Sequence, residues 1–161
     1  MFEIYTVTGV NTSDVDFNED GRYDYITRTS LNRGIHSHID EVEGKIIQPE
    51  GTYSLGLLGM DFFYRDEEWF AGQFVRGVRY KDVSKRHNHL ISLYLEVVIS
   101  KYKEVMKAYL VKNIDELFRG IYIELPVLTP EDTEPYWDYM AYFIHNIQHQ
   151  YADQLESKSE Y

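Results

Sequence analysis

The chain has 161 residues and a formal net charge of −11, with 43% hydrophobic and 16% aromatic residues. This length predicts one domain with a buried core, and the composition excludes a disordered chain. The sequence has no cysteine, which excludes disulfides and thiolate metal sites and fits a reducing cytoplasm. It has no secretion signal and no apolar run of roughly 18 residues, so we expect a cytoplasmic protein without a membrane partner.

Charge is distributed unevenly along the chain. Residues 71–130 hold ten bases and six acids, whereas the segments on both sides are acidic. Because salt screens charges beyond about 8–10 Å, a local basic surface can bind a polyanion on an acidic protein. The alternative is that the lysines among these bases only solvate a helix face. The bases of the range 76–112 are Arg76, Arg79, Lys81, Lys85, Arg86, Lys101, Lys103, Lys107 and Lys112.

The first half of the chain predicts short strands. Residues 2–10 predict a strand, residues 11–24 a polar loop, and residues 23–30 a second strand. A turn at Asn32–Gly34 precedes a further strand that contains His36 and His38. Glycines divide residues 44–80 into several more short strands, with the breaks at Gly51, Gly56, Gly59 and Gly72.

The second half predicts helices. Apolar residues from His89 to Tyr109 recur at three- and four-residue spacing, which predicts one amphipathic helix of about five turns. Residues 113–120 predict a short helix closed by a glycine, and residues 120–130 predict a strand. Pro135 predicts the start of a last helix, from Tyr136 to about Leu155. We therefore predict an α+β fold, with a small twisted mixed or antiparallel sheet, one long amphipathic helix and a C-terminal helix.

One loop has part of a calcium-binding pattern. Asp16, Asn18, Asp20 and the following glycine match the first half of a calcium loop, but Thr27 stands where a bidentate glutamate is needed. Loops rich in Asp, Asn and Gly also arise for turn reasons alone. We therefore predict no metal in this loop.

Other residues suggest metal binding or catalysis on weaker grounds. Two-spaced histidines without a third defined ligand favour surface or nucleic-acid-facing positions over a metal site; they are His36, His38, His87 and His89. Asp24, Glu43 and Lys45 follow the order used by magnesium nucleases. No phosphate-binding loop, nucleophile elbow or dinucleotide motif is present. We predict a protein without catalytic residues, bound metal or cofactor.

Residues 25–34, Tyr-Ile-Thr-Arg-Thr-Ser-Leu-Asn-Arg-Gly, concentrate hydrogen-bond donors in an acidic chain. Tyr53, Gly56 and Gly59 follow, then Phe-Tyr at 63–64, Phe-Ala-Gly-Gln-Phe-Val at 70–75, and Leu-Pro with Glu-Pro-x-Trp-x-Tyr-Met before residue 141. In this order the motifs resemble the target recognition domain of type I restriction-modification specificity subunits, and of related type IIB and IIG subunits. The resemblance spans roughly residues 23–148.

The sequence also departs from that family. Arg33 replaces an asparagine, Asp24 stands where the family often has proline, and the Tyr-Gly pair usual after the long helix is missing. A complete type I subunit carries two such domains separated by long helices. The resemblance therefore implies that this chain is half a subunit or a stand-alone unit, with a target-recognition-like domain at residues 1–130 and a C-terminal helix at 131–161.

The resemblance implies sequence-specific binding of double-stranded DNA on behalf of methyltransferase and restriction subunits. Arginine and asparagine can bond base edges, and hydroxyl groups suit phosphate oxygens. The alternative is that Arg28 and the Thr/Ser cluster form internal hydrogen bonds that hold the loops together, with DNA bound elsewhere. It applies to Asn32 as well, since alternate strand residues point to opposite faces. The candidate DNA-binding residues are Thr27, Arg28, Thr29, Ser30, Asn32, Arg33, Gln73, Arg76, Arg79 and Lys81.

The last helix carries an apolar stripe at helical spacing. Such a stripe packs on its own domain or, as the resemblance implies, binds a second copy or a methyltransferase subunit. Two copies related by a two-fold axis would read a split, palindrome-like site. The candidate partner-binding residues are Tyr136, Met140, Phe143, Ile144 and Ile147.

Two other functions stay open from the sequence. An acidic relative could keep the fold without binding DNA and act as a regulator or inhibitor of such a system, because a net charge of −11 opposes DNA binding. A small metal-dependent nuclease using Asp24, Glu43 and Lys45 is the other.

Overall fold

Two β-sheets and four α-helices make up the computed structural model, which describes residues 1–81, 88–109 and 113–159, without the side chains of residues 153 and 156–159. Lys85, Arg86, His87 and Lys112, which the sequence analysis names, lie outside these residues. The strands are β1 (Phe2–Thr6), β2 (Tyr23–Ile26), β3 (Ile35–Ile39), β4 (Thr52–Gly56), β5 (Asp61–Arg65), β6 (Trp69–Ala71) and β7 (Val75–Tyr80). The helices are α1 (His89–Ser100), α2 (Lys103–Lys107), α3 (Ile114–Gly120) and α4 (Trp137–Ser159).

The predicted α+β class is confirmed, but the strands form two sheets instead of one. An antiparallel sheet has the order β1-β7-β4-β5, and a mixed sheet has the order β3-β2-β6, with β2 and β6 parallel. The division into two sheets is explained by β6. Its residues Trp69 and Phe70 point to opposite faces of the strand, yet both are fully buried. Each contributes to a different apolar cluster, so β6 needs cover on both sides.

The main core lies between the antiparallel sheet and the short helices. Leu55, Phe62 and Val78 of the sheet pack with Met106 of α2 and Phe118 of α3. Residues two apart in a strand lie on the same face, so Tyr53 and Leu55 of β4 both contribute to this apolar set. This packing fixes α2 and α3 against the sheet.

The predicted long helix from His89 to Tyr109 is broken after residue 100. The backbone N–H groups of Lys101 and Tyr102 donate to the carbonyls of Val98 and Ile99, three residues back, which tightens the helix end. The Tyr102 hydroxyl donates to the Tyr122 carbonyl at 2.7 Å. The break directs the fully buried Met106 into the core that also holds Ile99, although the sequence has neither proline nor glycine there.

The predicted strand in residues 120–130 is wrong. Ile121, Ile123 and Leu125 are half-buried and alternate with the exposed Tyr122 and Glu124, so the predicted alternation exists. No described strand pairs with them, however, because the inward residues pack on helix-lined clusters and not along a sheet edge. Alternation alone therefore indicates burial on one side and not membership of a sheet.

The two later helices agree with the sequence analysis. Helix α3 ends at the predicted glycine, and α4 begins two residues after Pro135. Helix α4 packs on α1, where the buried Met140 meets Ile91 and Leu95. Among the helices that the structure describes, none is long and apolar enough to cross a bilayer.

Replacement of Met106 by alanine tests the bend after α1. Because this side chain is fully buried in the core, we expect Met106→Ala to lower the free energy of unfolding by about 2–5 kcal/mol. Urea denaturation followed by circular dichroism measures the change. The neighbouring Val105 is exposed, so Val105→Ala is the matched control. Equal effects of the two substitutions would contradict the described orientation of α2.

Candidate nucleic-acid interface

Loops from both sheets meet at one end of the molecule. The Gly72 N–H donates to the Ile26 carbonyl at 2.7 Å, which joins the last residue of β2 to the residue after β6. The Leu57 N–H donates to the Phe74 carbonyl at 2.9 Å, which joins the residue after β4 to the residue before β7. We call residues 9–11, 27–28, 56–58 and 72–74 the loop apex.

Close backbone contacts hold the loop apex together. A Cβ atom at Gly9 would lie 2.8 Å from the Gly72 carbonyl oxygen, and one at Gly56 would lie 3.2 Å from the Cα atom of Arg28. The first distance leaves no room for a side chain at Gly9, and the second would force the backbone at Arg28 to shift by a few tenths of an ångström. The sequence glycines therefore mark the places where the loops touch.

The loop apex presents hydrogen-bond donors to solvent. The exposed Arg28 side chain lies with its guanidinium carbon 5.1 Å from the centre of the Phe74 ring. Arg28 has no carboxylate partner among the residues that the structure describes. The exposed Gln73 amide donates to the Asn11 side chain at 3.0 Å and to the Gly9 carbonyl at 3.4 Å. Of the predicted DNA-binding residues, the fold places Thr27, Arg28 and Gln73 here.

Residues 29–34 extend from the loop apex along β5, and we call residues 27–34 the β2–β3 loop. Its neck is closed by the Thr27 N–H, which donates to the Gly34 carbonyl at 2.9 Å. The Thr29 hydroxyl accepts the N–H of Leu31 at 3.2 Å, while Ser30 and Asn32 are exposed. The hydroxyl of Thr29 is thus engaged internally, and the exposed Asn32 amide donates to the Ile35 carbonyl at 3.4 Å. Ser30 is exposed.

Arg33 fixes the far end of the β2–β3 loop. Its guanidinium group donates to both carboxylate oxygens of Glu96 in α1, at 3.0 and 2.7 Å, and to the Tyr64 carbonyl at 3.3 Å. Glu96 also accepts the Tyr64 N–H at 2.7 Å, and only 8% of the residue is exposed. This bidentate pair therefore joins the loop, β5 and α1.

Arg65 lies beneath the same loop as a buried cation. Its guanidinium group donates to the Ser54 hydroxyl at 2.9 and 2.7 Å and to the Arg33 carbonyl. Burial lowers the pKa of Arg65 to about 10, so the side chain remains charged at neutral pH. It supports the position of Arg33 from inside the protein and does not reach the surface.

The other predicted cations do not join the loop apex. Arg76 and Arg79 point to opposite faces of β7, since residues three apart in a strand do so. Arg76 pairs with Asp115 at 3.0 Å and Arg79 with Glu3 at 2.9 Å; the latter hydrogen bond lowers the pKa of Glu3. The exposed Lys81 follows β7 at the opposite end of the strand.

Lysines of the predicted basic surface are paired in the same way. Lys103 pairs with the buried Asp61, and Lys107 pairs with Glu104 at 2.8 Å. The described members of the range 76–112 therefore do not form a continuous free basic surface. Lys101 is exposed on the helix break.

The candidate metal residues have other partners. Asp24 pairs with His38 at 3.1 Å, and Glu43 is exposed in a turn. Asn18 bonds Asp40 and accepts the N–H of Asp20, each at 3.0 Å, which is turn chemistry. Within the described ranges no three His, Asp or Glu side chains are grouped to hold a metal ion.

The α4 stripe faces two ways. Met140 and Ile144 are buried against the domain, and Ile147 is half-buried. Tyr136 and Phe143 remain partly exposed, and the Phe143 ring lies 5.8 Å from that of Tyr94 in α1. An exposed aromatic face consists of Tyr139, Tyr142 and Phe143, with Tyr136, just before the helix, stacked on Tyr139.

The sequence analysis missed two residues of the loop apex. Leu58 is 72% exposed and Phe74 is 55% exposed, although both are large and apolar. The exposure of Leu58 could have been inferred from the sequence, because two consecutive leucines between two glycines contradict the polar composition expected of a turn. Phe74 lies within the motif at 70–75, but nothing in the sequence shows that its ring faces solvent.

Comparison with known proteins supports this fold. The HsdS subunit from Thermoanaerobacter tengcongensis is similar with a TM-score of 0.57 and 13% identity, covering 97% of this chain and 37% of that one. The type I restriction-modification system S subunit from M. genitalium gives a TM-score of 0.46 and 15% identity, covering 66% of this chain and 26% of that one. The chain thus spans well under half of either subunit. No curated protein matches it.

A model of a protein family matches nearly the whole sequence. The model described as "Type I restriction modification DNA specificity domain" matches residues 1–157. The chain therefore belongs to this family, and the resemblance stated from its motifs is confirmed. The prediction of a DNA-specificity component of a type I restriction-modification system is confirmed at the level of this family.

Replacement of Glu96 by glutamine tests the anchor of the β2–β3 loop. The amide keeps the size of the carboxylate but leaves Arg33 without its opposite charge, so we expect a loss of about 1–3 kcal/mol in the free energy of unfolding. Urea denaturation measures it. Glu3→Gln, which removes an exposed ion pair, is the control and should change stability little. A Glu96→Gln protein as stable as the wild type would show that this pair does not hold the loop.

Proposed function

We propose that this chain reads a DNA sequence through the loop apex and the β2–β3 loop, and directs partner methyltransferase and restriction subunits without performing catalysis itself. The family supports a role in DNA specificity. The proposed contacts are made by the side chains of Thr27, Arg28, Thr29, Ser30, Asn32 and Gln73.

One observation carries this proposal. Arg28 is an exposed guanidinium group at the meeting point of four loops, and no described carboxylate neutralises it. Arg33, in contrast, already binds a carboxylate. The Arg28 guanidinium provides donors that base edges and phosphates accept. The Gln73 amide nitrogen already donates to Asn11 and Gly9, so Gln73 would contact a base through its side-chain oxygen. DNA contacts by Arg33, Arg76, Arg79 and Lys81 stay predictions.

The net charge sets the conditions for binding. With −11 on the chain, distant carboxylates oppose the approach of a duplex, and salt limits their reach to about 8–10 Å. The local donors of the loop apex then act at short range. We expect weak binding by the isolated chain and tighter binding when a partner subunit adds phosphate contacts.

The partner surface that we propose is the exposed aromatic face of α4. Aromatic residues are enriched at protein interfaces because they bury large areas and keep a polar atom at the rim. Tyr142 is the most exposed residue of this face. A second copy or a methyltransferase subunit would cover it, and a second copy would bring a second loop apex to the same DNA.

A second candidate function is an acidic regulator that keeps the fold without binding DNA. The observation that favours it is the internal pairing of Arg33, Arg76 and Arg79 with carboxylates. Such a protein would bind the enzyme subunits through α4 and leave DNA unbound at any salt concentration.

Replacement of Arg28 tests the DNA-reading function. A duplex is first selected from a random-sequence pool by the wild-type chain at about 50 mM salt, where phosphate contacts are strongest. We expect Arg28→Ala to weaken binding to that duplex by about 1–3 kcal/mol, because a guanidinium contact to base or phosphate is lost. Fluorescence anisotropy measures the affinity as salt is raised.

Arg22→Ala is the matched control for this test. Arg22 is an exposed arginine that precedes β2, at the opposite end of the strand, and it contacts Glu68 at 3.5 Å. Equal losses for the two variants would indicate general charge attraction. Absence of any selected duplex would favour the acidic regulator.

Replacement of Tyr142 tests the partner surface. We expect Tyr142→Ala to shift the chain toward monomer, or to weaken its binding to a methyltransferase subunit, by about tenfold, since buried tyrosines are common interface hot spots. Analytical ultracentrifugation of the chain and pull-down of the purified subunit measure the two effects. Tyr122→Ala, at an exposed tyrosine outside α4, should change neither.

A further inference from the structure

Four non-glycine residues of the described chain have a backbone in the left-handed region: Asn32 at φ +45°, Arg33 at +52°, Met60 at +53° and Phe74 at +61°. Three of them have an internal explanation. Asparagine tolerates this region, and Arg33 is held there by Glu96. Met60 is only 3% exposed, so burial of its side chain offsets the strain.

Phe74 lacks this compensation. A bulky residue at positive φ is disfavoured, and glycine would adopt the same conformation without strain. The backbone nevertheless holds the Phe74 ring 55% exposed, in the short turn between β6 and β7. A ring that is more than half exposed contributes less to folding than a buried one does, and the strained turn presents it to solvent.

The residues around the Phe74 ring indicate which kind of molecule it would contact. Leu58, 72% exposed, lies next to Leu57, whose N–H is bonded to the Phe74 carbonyl. The Arg28 guanidinium lies over the ring. Phe74 and Leu58 are apolar and exposed, and Arg28 is a cation next to the ring. DNA combines anionic phosphates with stacked bases whose faces are flat and apolar, so this group of side chains is suited to a duplex.

We propose that Phe74, with Leu58 on the adjoining loop, is an apolar wedge that enters a base step of bound DNA. The inference rests on the proposed function and adds to it the way in which the duplex is read. The ring would take the place of one base-stacking contact, while Arg28 leaves the ring and binds phosphate or base edge at the mouth of the step. Flexible pyrimidine–purine steps would be preferred, because they unstack at the lowest free-energy cost.

Replacement of Phe74 by glycine distinguishes a role of the ring in DNA binding from a role in stability. We expect Phe74→Gly to keep or raise the melting temperature, since glycine relieves the left-handed backbone, and to bind the selected duplex at least about tenfold more weakly, as loss of a base–aromatic contact does. Met60→Gly, at the same backbone conformation, should lower the melting temperature because a buried side chain is lost. Phe74→Trp, which keeps a flat ring, should retain binding.

Unstacking is measured directly with 2-aminopurine placed in turn at each purine of the selected duplex. Binding of the wild-type chain should raise the fluorescence at one step, and Phe74→Gly should abolish that rise. The wedge is overturned if the variant gives the same rise and affinity, if affinity falls without any wild-type rise, or if its melting temperature falls as that of Met60→Gly does. If the wild-type chain selects no duplex, both the proposed function and the wedge are contradicted. If the wild-type chain selects a duplex and Phe74→Gly binds it equally well, only the wedge is contradicted.

Discussion

The ion pair between Arg33 and Glu96 is the contact on which the candidate site depends. Glu96 accepts both a guanidinium fork and the Tyr64 N–H, so one buried carboxylate fixes a helix, a strand and a loop together. The β2–β3 loop is thereby held at its far end, while the loop apex holds its near end through the contacts of residues 27 and 28. Because both ends are fixed, the residues between them have little freedom, and side chains that are to meet base edges need such positioning.

Local patterns predicted much of the fold. The glycine-divided strands, the short helix ending at Gly120 and the long terminal helix were recognisable because capping and periodicity act over a few residues. The division into two sheets was not, since it depends on cover for both faces of β6. The break after residue 100 was also invisible, because its cause is the distant core that takes up Met106. Pairing and packing between remote segments decided each of these cases.

The same distinction applies to the site. Arg28 and Gln73 were recognised from their motifs and lie together in the fold. The carboxylates that occupy Arg33, Arg76 and Arg79 stand 63, 39 and 76 residues away in the sequence, so no local pattern could reveal them. Nor does a sequence show the backbone angle of Phe74, which follows from a turn connecting two different sheets. Composition identifies which side chains can bind DNA, but only the fold shows which of them are free.

Helix α1 contacts both α4 and the β2–β3 loop. Leu95 packs against Met140 of α4, and the next residue, Glu96, binds the β2–β3 loop. Successive residues of a helix point about 100° apart, so one rigid element touches both neighbours at the same level. A displacement of α1 would therefore move both the α4 contact and the Glu96 anchor, which links the proposed partner surface mechanically to the proposed DNA-reading loop.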